Sequence, residues 1–234
     1  MSKKVAVMQP YLFPYIGYFQ LINACDCFIN FDDVKYIKKG WINKNYILSN
    51  SKPLLFSMPL EKASQNKSIR EINICDDPNW KRKFLLTLQF SYEKAEYYKI
   101  IIKLIKDILN FENRNLSEFL LNSIKKISDY LSVSTEIIDS SSVFKNSDLK
   151  SEKRIIDICR QCEADEYINP IGGVELYSKQ AFESEGIKLN FLKSGSITYR
   201  QFGNKFIENL SIIDILMLNN KRKIREFLNT YELS

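Results

Sequence analysis

The chain has 234 residues, 45% hydrophobic and 26% charged, and its 34 Lys and Arg against 28 Asp and Glu give a formal net charge of +6. That is enough apolar material for the full core of one large α/β domain, and only seven Gly and six Pro, with no repeat period, exclude a fibrous, linker-rich or disordered chain. It contains no His, which excludes Ser-His-Asp and Cys-His catalysis and every His-containing zinc site, so any proton transfer falls to Asp, Glu, Lys, Tyr or Cys.

Val5-Ala6-Val7-Met8 reads as a first strand over 4–8, and Gln9 and Pro10 end the run far short of a signal-peptide core. No stretch approaches the roughly 18 apolar residues of a membrane span, so a cytoplasmic protein without a span is expected. A turn-rich stretch leads through Pro14, a helix start signal, into a helical pattern from about Ile16 to Ala24 with Gly17 in its first turn. Cys27 to Phe31 reads as a second strand, making a β-turn-helix-β opening, the entry to a parallel sheet. Residues 46–49, 54–58 and 71–74 read as short strands, broken by Pro53 and Pro59.

Helical periodicity follows from about Pro78 to Asn110, with Ile101, Leu104, Ile105, Ile108 and Leu109 on one stripe, and again from Leu116 to Leu131. Alternation then returns: strand at Thr135 to Ile138, helix at Ser151 to Cys162, strand at Glu166 to Asn169, helix at Val174 to Ser184, strand at Lys188 to Leu192. Two closing helices are expected between Lys205 and Tyr231. The pattern predicts one α/β domain over 1–234: a doubly wound, mainly parallel Rossmann-like sheet with a helical insert or subdomain at 78–131 and C-terminal helices.

In open α/β sheets ligands sit outside the carboxyl ends of the strands, so the segments that follow strands are the candidates. After the first strand, Gln9, Tyr11, Tyr15, Gly17 and Tyr18 surround a turn whose helix start offers backbone N–H groups to an anion. The competing reading makes the tyrosines core aromatics, for which a Gln and two prolines are costly neighbours. After the second strand come Asp32 and Asp33, then Tyr36, Trp41, Asn43, Lys44 and Asn45. Adjacent carboxylates point to opposite sides of an extended chain, so one of them faces a site. Asp33, desolvated beside Tyr36 and Trp41, is the expected general base, with Asp32 second, against the alternative of a solvated loop with an Asx turn.

Asn169-Pro170-Ile171-Gly172-Gly173 leads into a helical pattern, and Gly172 and Gly173 allow close approach of backbone to ligand, if this is more than a plain strand-to-helix turn. Tyr199 and Gln201 alternate along an extended stretch and share one side, Tyr199 fitting core packing as well as ligand contact. Cys25, Cys27, Cys159 and Cys162 lack knuckle turns and read as buried small hydrophobes, so no metal site is assigned and no cofactor is named.

Met8-Gln9-Pro10-Tyr11 with Pro14-Tyr15-Ile16-Gly17-Tyr18-Phe19-Gln20-Leu21-Ile22 resembles the opening signature of the WbqC-like family. The likeness continues through Asp32-Asp33-Val34, Tyr36, Gly40 to Asn45, Ile168 to Gly173, Leu176-Tyr177, Tyr199-Arg200-Gln201 and Leu210 to Asp214, essentially the whole chain. Lys44 and Lys35 stand where Arg and Gln are expected, and Asn219-Asn220 replaces a glycine. Loss of a guanidinium at Lys44 loosens any planar anion contact. The resemblance implies a place in bacterial O-antigen or capsule synthesis without naming a reaction. Tyr15-Ile16-Gly17-Tyr18 is also similar, more distantly, to the His-x-Gly-His turn of nucleotidylyltransferases and class I synthetases, which grips nucleotide phosphates. Tyrosines there keep hydroxyl donors and lose the imidazolium charge, which disfavours adenylyl transfer and leaves a nucleotide-bearing substrate.

The expected function is a transferase that acylates or aminoacylates a nucleotide-linked amino sugar, a small-molecule substrate. The alternative is a non-catalytic binding module for nucleic acid or assembly partners. A basic stripe interleaved with aromatics is missing, so nucleic acid is not the expected partner.

Overall fold

The computed structural model describes residues 2–203 and 205–234. Strand β1 (Lys4–Met8) enters α1 (Ile16–Ala24) and returns as β2 (Cys27–Asn30), as the opening pattern predicts. A hairpin of β3 (Lys44–Ser49) and β4 (Lys52–Ser57) follows, then the two-residue strands β5 (Leu60–Glu61) and β6 (Asn73–Ile74). Next come α2 (Pro78–Tyr92), α3 (Tyr98–Leu109), α4 (Leu116–Leu131), β7 (Glu136–Ile138), α5 (Ser151–Gln161) and β8 (Glu166–Pro170). The chain closes with α6 (Lys179–Glu183), β9 (Lys188–Ser194), α7 (Ile212–Leu218), α8 (Lys221–Leu228) and β10 (Tyr231–Leu233).

The main sheet has six strands in the order β10-β9-β8-β1-β2-β7. All neighbours pair in parallel except β10, which runs antiparallel to β9. Chain order steps outward from β1 through β2 to β7 on one side and through β8 to β9 on the other, so it reverses between β1 and β8. Successive side chains leave a strand on opposite faces. Val5 and Val7 accordingly join one apolar cluster with α5 and α6, whereas Ala6, with Phe28 and Ile168, joins another built from α1, α2, α3, α4, α7 and α8. Helices thus cover both faces, which is why β2 is buried at every position.

Helix α1 lies deepest, with eight of its residues buried. The side-chain amide of Gln20 donates to the carbonyls of Phe227 and Thr230, both at 2.8 Å, and pins α1 to the end of α8. The β3–β4 hairpin turns through Asn50 and Ser51 at φ +48° and +60°, the mirror-image turn that matches strand twist. Asp77 caps α2 by accepting from the Asn79 N–H, with Pro78 in the first turn.

Four expectations are corrected. The helical pattern from Pro78 to Asn110 is two helices, because the chain turns at Ala95 and the N–H of Tyr97 is taken by the Met217 carbonyl at 3.2 Å, a tertiary bond that periodicity cannot register. The helix expected over 174–184 is a 3-10 turn (Ile171–Leu176) followed by the short α6, and 71–74 is strand only at Asn73–Ile74. The tail adds a strand after its two helices: β10 pairs with β9, and Ser234 and Phe191 exchange backbone bonds. Among the described residues no helix is long and apolar enough to cross a membrane.

Candidate functional site

The segment after β1 is held in a strained shape. Phe13 has φ +43°, a left-handed conformation uncommon for a bulky residue. Such strain persists where the surroundings over-determine it. The Asn45 side chain on β3 donates to the carbonyls of Leu12 (3.3 Å) and Phe13 (2.8 Å). From the chain entering α7, Ser211 Oγ donates to the Phe13 carbonyl (2.7 Å) and the Ile212 N–H to the Pro14 carbonyl (2.9 Å). The Phe13 ring packs against Phe84 and Phe56 at 6.0 and 6.4 Å.

So fastened, the segment presents Tyr11, Pro14 and Tyr15 to a cavity of about 380 Å³ whose other walls are Trp41, Asn45 and Asn209. Tyr18 is buried behind it: its hydroxyl donates to the Gln9 carbonyl at 3.0 Å and its ring supports Tyr11 at 5.7 Å. Gly17 permits this arrangement, because a Cβ there would stand 2.4 Å from the Tyr15 ring. Burial and the neighbouring Tyr15 push the Tyr11 phenol up to about 12, and burial alone raises Tyr15. Both are therefore neutral hydroxyls at neutral pH. Trp41 is 47% exposed and leans edge-on against Tyr46.

A second cavity, of about 310 Å³, meets the first at Asn209, which lines both. Its walls include Ile16 at the start of α1, Ser194 to Ile197 at the end of β9, and Tyr199. The Tyr199 hydroxyl donates to Asp214 Oδ2 at 2.6 Å, Gln201 Nε2 to the same oxygen at 3.0 Å, and the Tyr92 hydroxyl to Oδ1 at 2.6 Å. The Gln201 amide also bonds both backbone groups of Ile207. Asp214 is fully buried and has no cation partner among the described residues. Burial pushes its carboxyl up from the ordinary value, while the three donors pull the other way. Burial, then Asp214 itself, raises Tyr199 and Tyr92 as well.

The carboxylates after β2 are engaged elsewhere. Asp32 accepts from Ser117 (2.8 Å) and Ser140 (2.7 Å). Asp33 accepts from Ser141 and pairs with Arg154, each at 2.5 Å. Arg154 is oriented by Asn146 Oδ1 at 3.0 Å and lies over the Phe31 ring. Both oxygens of both carboxylates are occupied, and neither residue lines either cavity. Tyr36 donates to Asn43 Oδ1 at 2.8 Å and Asn43 Nδ2 to the Met58 carbonyl at 2.9 Å, tying the loop to the chain after β4. Lys44 pairs with Ser57 in the hairpin. Asn169 accepts from the Tyr167 hydroxyl and donates to the Pro170 carbonyl, packed so closely on Gly173 that a Cβ there would lie 2.0 Å from its amide nitrogen. Gly172 faces open space.

Of the residues singled out in the sequence, Tyr11, Tyr15, Trp41 and Asn45 meet around one cavity and Tyr199 lines its neighbour, with Gln201 behind it. Gln9, Gly17 and Tyr18 support the first wall. Asp32, Asp33, Tyr36, Asn43, Lys44, Asn169, Gly172 and Gly173 line neither cavity. Sequence reasoning passed over Asn209, Arg154 and, above all, Asp214. Two signals pointed to the last without giving it a role: it closes the stretch of family likeness from Leu210 to Asp214, and it is a carboxylate among Ile212, Ile213, Ile215 and Leu216.

Residues 9–226 match the model of the WbqC-like protein family. The chain is also 30% identical over 217 residues, 92% of its own length and 93% of the relative's, to a Mycobacterium tuberculosis protein described as uncharacterized protein Rv1507c. No solved structure matches. Every wall residue named above falls inside the matched span.

Proposed function

The chain belongs to the WbqC-like protein family, and on that premise we propose that it is a transferase of bacterial surface-polysaccharide synthesis, acylating or aminoacylating a nucleotide-linked amino sugar. The observation that carries the proposal is the meeting of Tyr11, Tyr15 and Trp41 with the amides of Asn45 and Asn209 around one cavity. Flat aromatic faces and neutral donors and acceptors suit a sugar or nucleoside, and few convergent polar groups in a cleft mark a ligand site. We read the sheet as doubly wound and Rossmann-like, since parallel strands step both ways from β1 under helices on both faces. The whole chain is read as one domain with 78–131 as a helical insert, because α2, α3 and α4 share the apolar cluster of α1.

The two cavities together, about 380 and 310 Å³, suit a ligand longer than either. At the start of α1, the preceding Tyr15 makes no side-chain cap bond and lines one cavity while Ile16 lines the other, and the N–H groups of the helix start suit a diphosphate. In this reading Tyr199 and Asp214 move the proton. As the amine nitrogen forms its bond to the acyl carbon, the donor's leaving group departs with its electron pair. The amine proton passes to the Tyr199 oxygen, and the Tyr199 proton to Asp214 Oδ2, 2.6 Å away. Asp33, the general base expected from the sequence, acts here as an anchor for Arg154.

Thermal-shift and calorimetric titration with UDP-, dTDP-, GDP- and CMP-sugars tests the proposal. At least one class is expected to stabilise the protein, by ~2.7 kcal/mol at 100 times its Kd. Trp41→Ala and Asn45→Ala should each weaken that response by about tenfold, roughly 1.4 kcal/mol. Indifference to every nucleotide sugar, or equal affinity in both variants, would remove this reading.

A further inference from the structure

On α2 the buried side chains are Phe84, Leu88 and Tyr92. The opposite side of the same helix should be polar, yet Leu86 and Phe90, one turn apart, are 55% and 68% exposed. Beside Leu86 a groove of about 360 Å³ runs between α2 and α3, lined by Leu85, Tyr98 and Ile102 together with Arg82 and Lys106. Arg82 and Lys83 stand one turn before Leu86, both exposed. Neither they nor Lys106 form an ion pair among the described residues.

Large apolar groups exposed on the outer side of a helix, with cations beside them that form no ion pair among the described residues, suit a partner that accepts apolar side chains along its whole surface and carries negative charge. An acidic bilayer has both properties: the interfacial region takes Leu and Phe side chains, and the headgroup phosphates attract Lys and Arg. A protein partner would have to supply a matching concave pocket for each side chain. We propose that the α2–α3 face docks this protein on an anionic lipid bilayer, with Leu86 and Phe90 entering the interface and Arg82, Lys83 and Lys106 against the headgroups. The surface is separate from both cavities of the candidate site.

Flotation of the full chain with vesicles of phosphatidylcholine, with or without phosphatidylglycerol, tests it. Binding is expected to the phosphatidylglycerol vesicles, to fall as salt is raised, and to be lost in Leu86→Asp and Phe90→Asp. Arg82→Gln and Lys83→Gln should each weaken it by about fivefold. Because all four side chains are exposed, the melting temperature of every variant should stay at the wild-type value, which separates lost binding from lost folding. No flotation with anionic vesicles overturns the proposal, as does flotation unchanged by Phe90→Asp. A wild-type dimer that Phe90→Asp converts to monomer, read by light scattering, would assign the face to a second copy of the chain and overturn it equally.

Discussion

At the scale of single residues, two acidic groups that look alike in sequence have opposite surroundings. Asp33 is held against Arg154 with both side chains nearly buried, 11% and 6% exposed. Removing one partner of such a pair strands the other without solvent. Asp33→Asn is therefore expected to cost about 3–5 kcal/mol in chemical denaturation. A variant that melts like wild type and yet forms no product would return the proton-transfer role to Asp33. Asp214 has no cation, and its carboxyl is raised by burial. A raised folded value means that the native state holds the proton more tightly than the unfolded chain. The stability it contributes is then complete below the ordinary value of 3.8 and is lost as pH rises through the elevated one. Tyr92 and Tyr199, raised above 10.0, act with the same sign at alkaline pH. Melting temperatures across acid to neutral pH should fall more gently in Asp214→Asn than in wild type; parallel curves would show that Asp214 does not titrate there.

At the scale of elements, the turn after β8 separates two adjacent glycines that the sequence presents as equals. A Cβ at Gly173 would lie 2.0 Å from the Asn169 amide nitrogen, whereas nothing lies within 4 Å of one at Gly172. Gly173→Ala should displace Asn169 and lower the melting temperature, and Gly172→Ala should leave it unchanged. Equal behaviour of the two would contradict this packing. The bounds of α1, α4 and β1 were legible because their apolar spacing and start signals are local. The break between α2 and α3 was not, because it depends on Tyr97 meeting Met217. Strand β10 was missed for the same reason: three residues carry no periodicity, and only pairing with β9 makes them a strand.

At the scale of the molecule, the sequence by itself determined the α/β class, the parallel opening unit, most helices and the aromatic segment at 9–18, all read from short-range periodicity and turn chemistry. It also placed Tyr11, Tyr15, Trp41 and Asn45 after strands, where ligands of open sheets bind. Only the tertiary structure decided which of these residues share a cavity. Phe13 is clamped by Ser211, Tyr92 meets Asp214, and Asp33 meets Arg154, pairs separated by 198, 122 and 121 positions. Residue type and spacing along the chain say nothing about such partners. The choice follows from which helix faces must be buried together and which polar groups are then left to satisfy one another, a property of the packed whole.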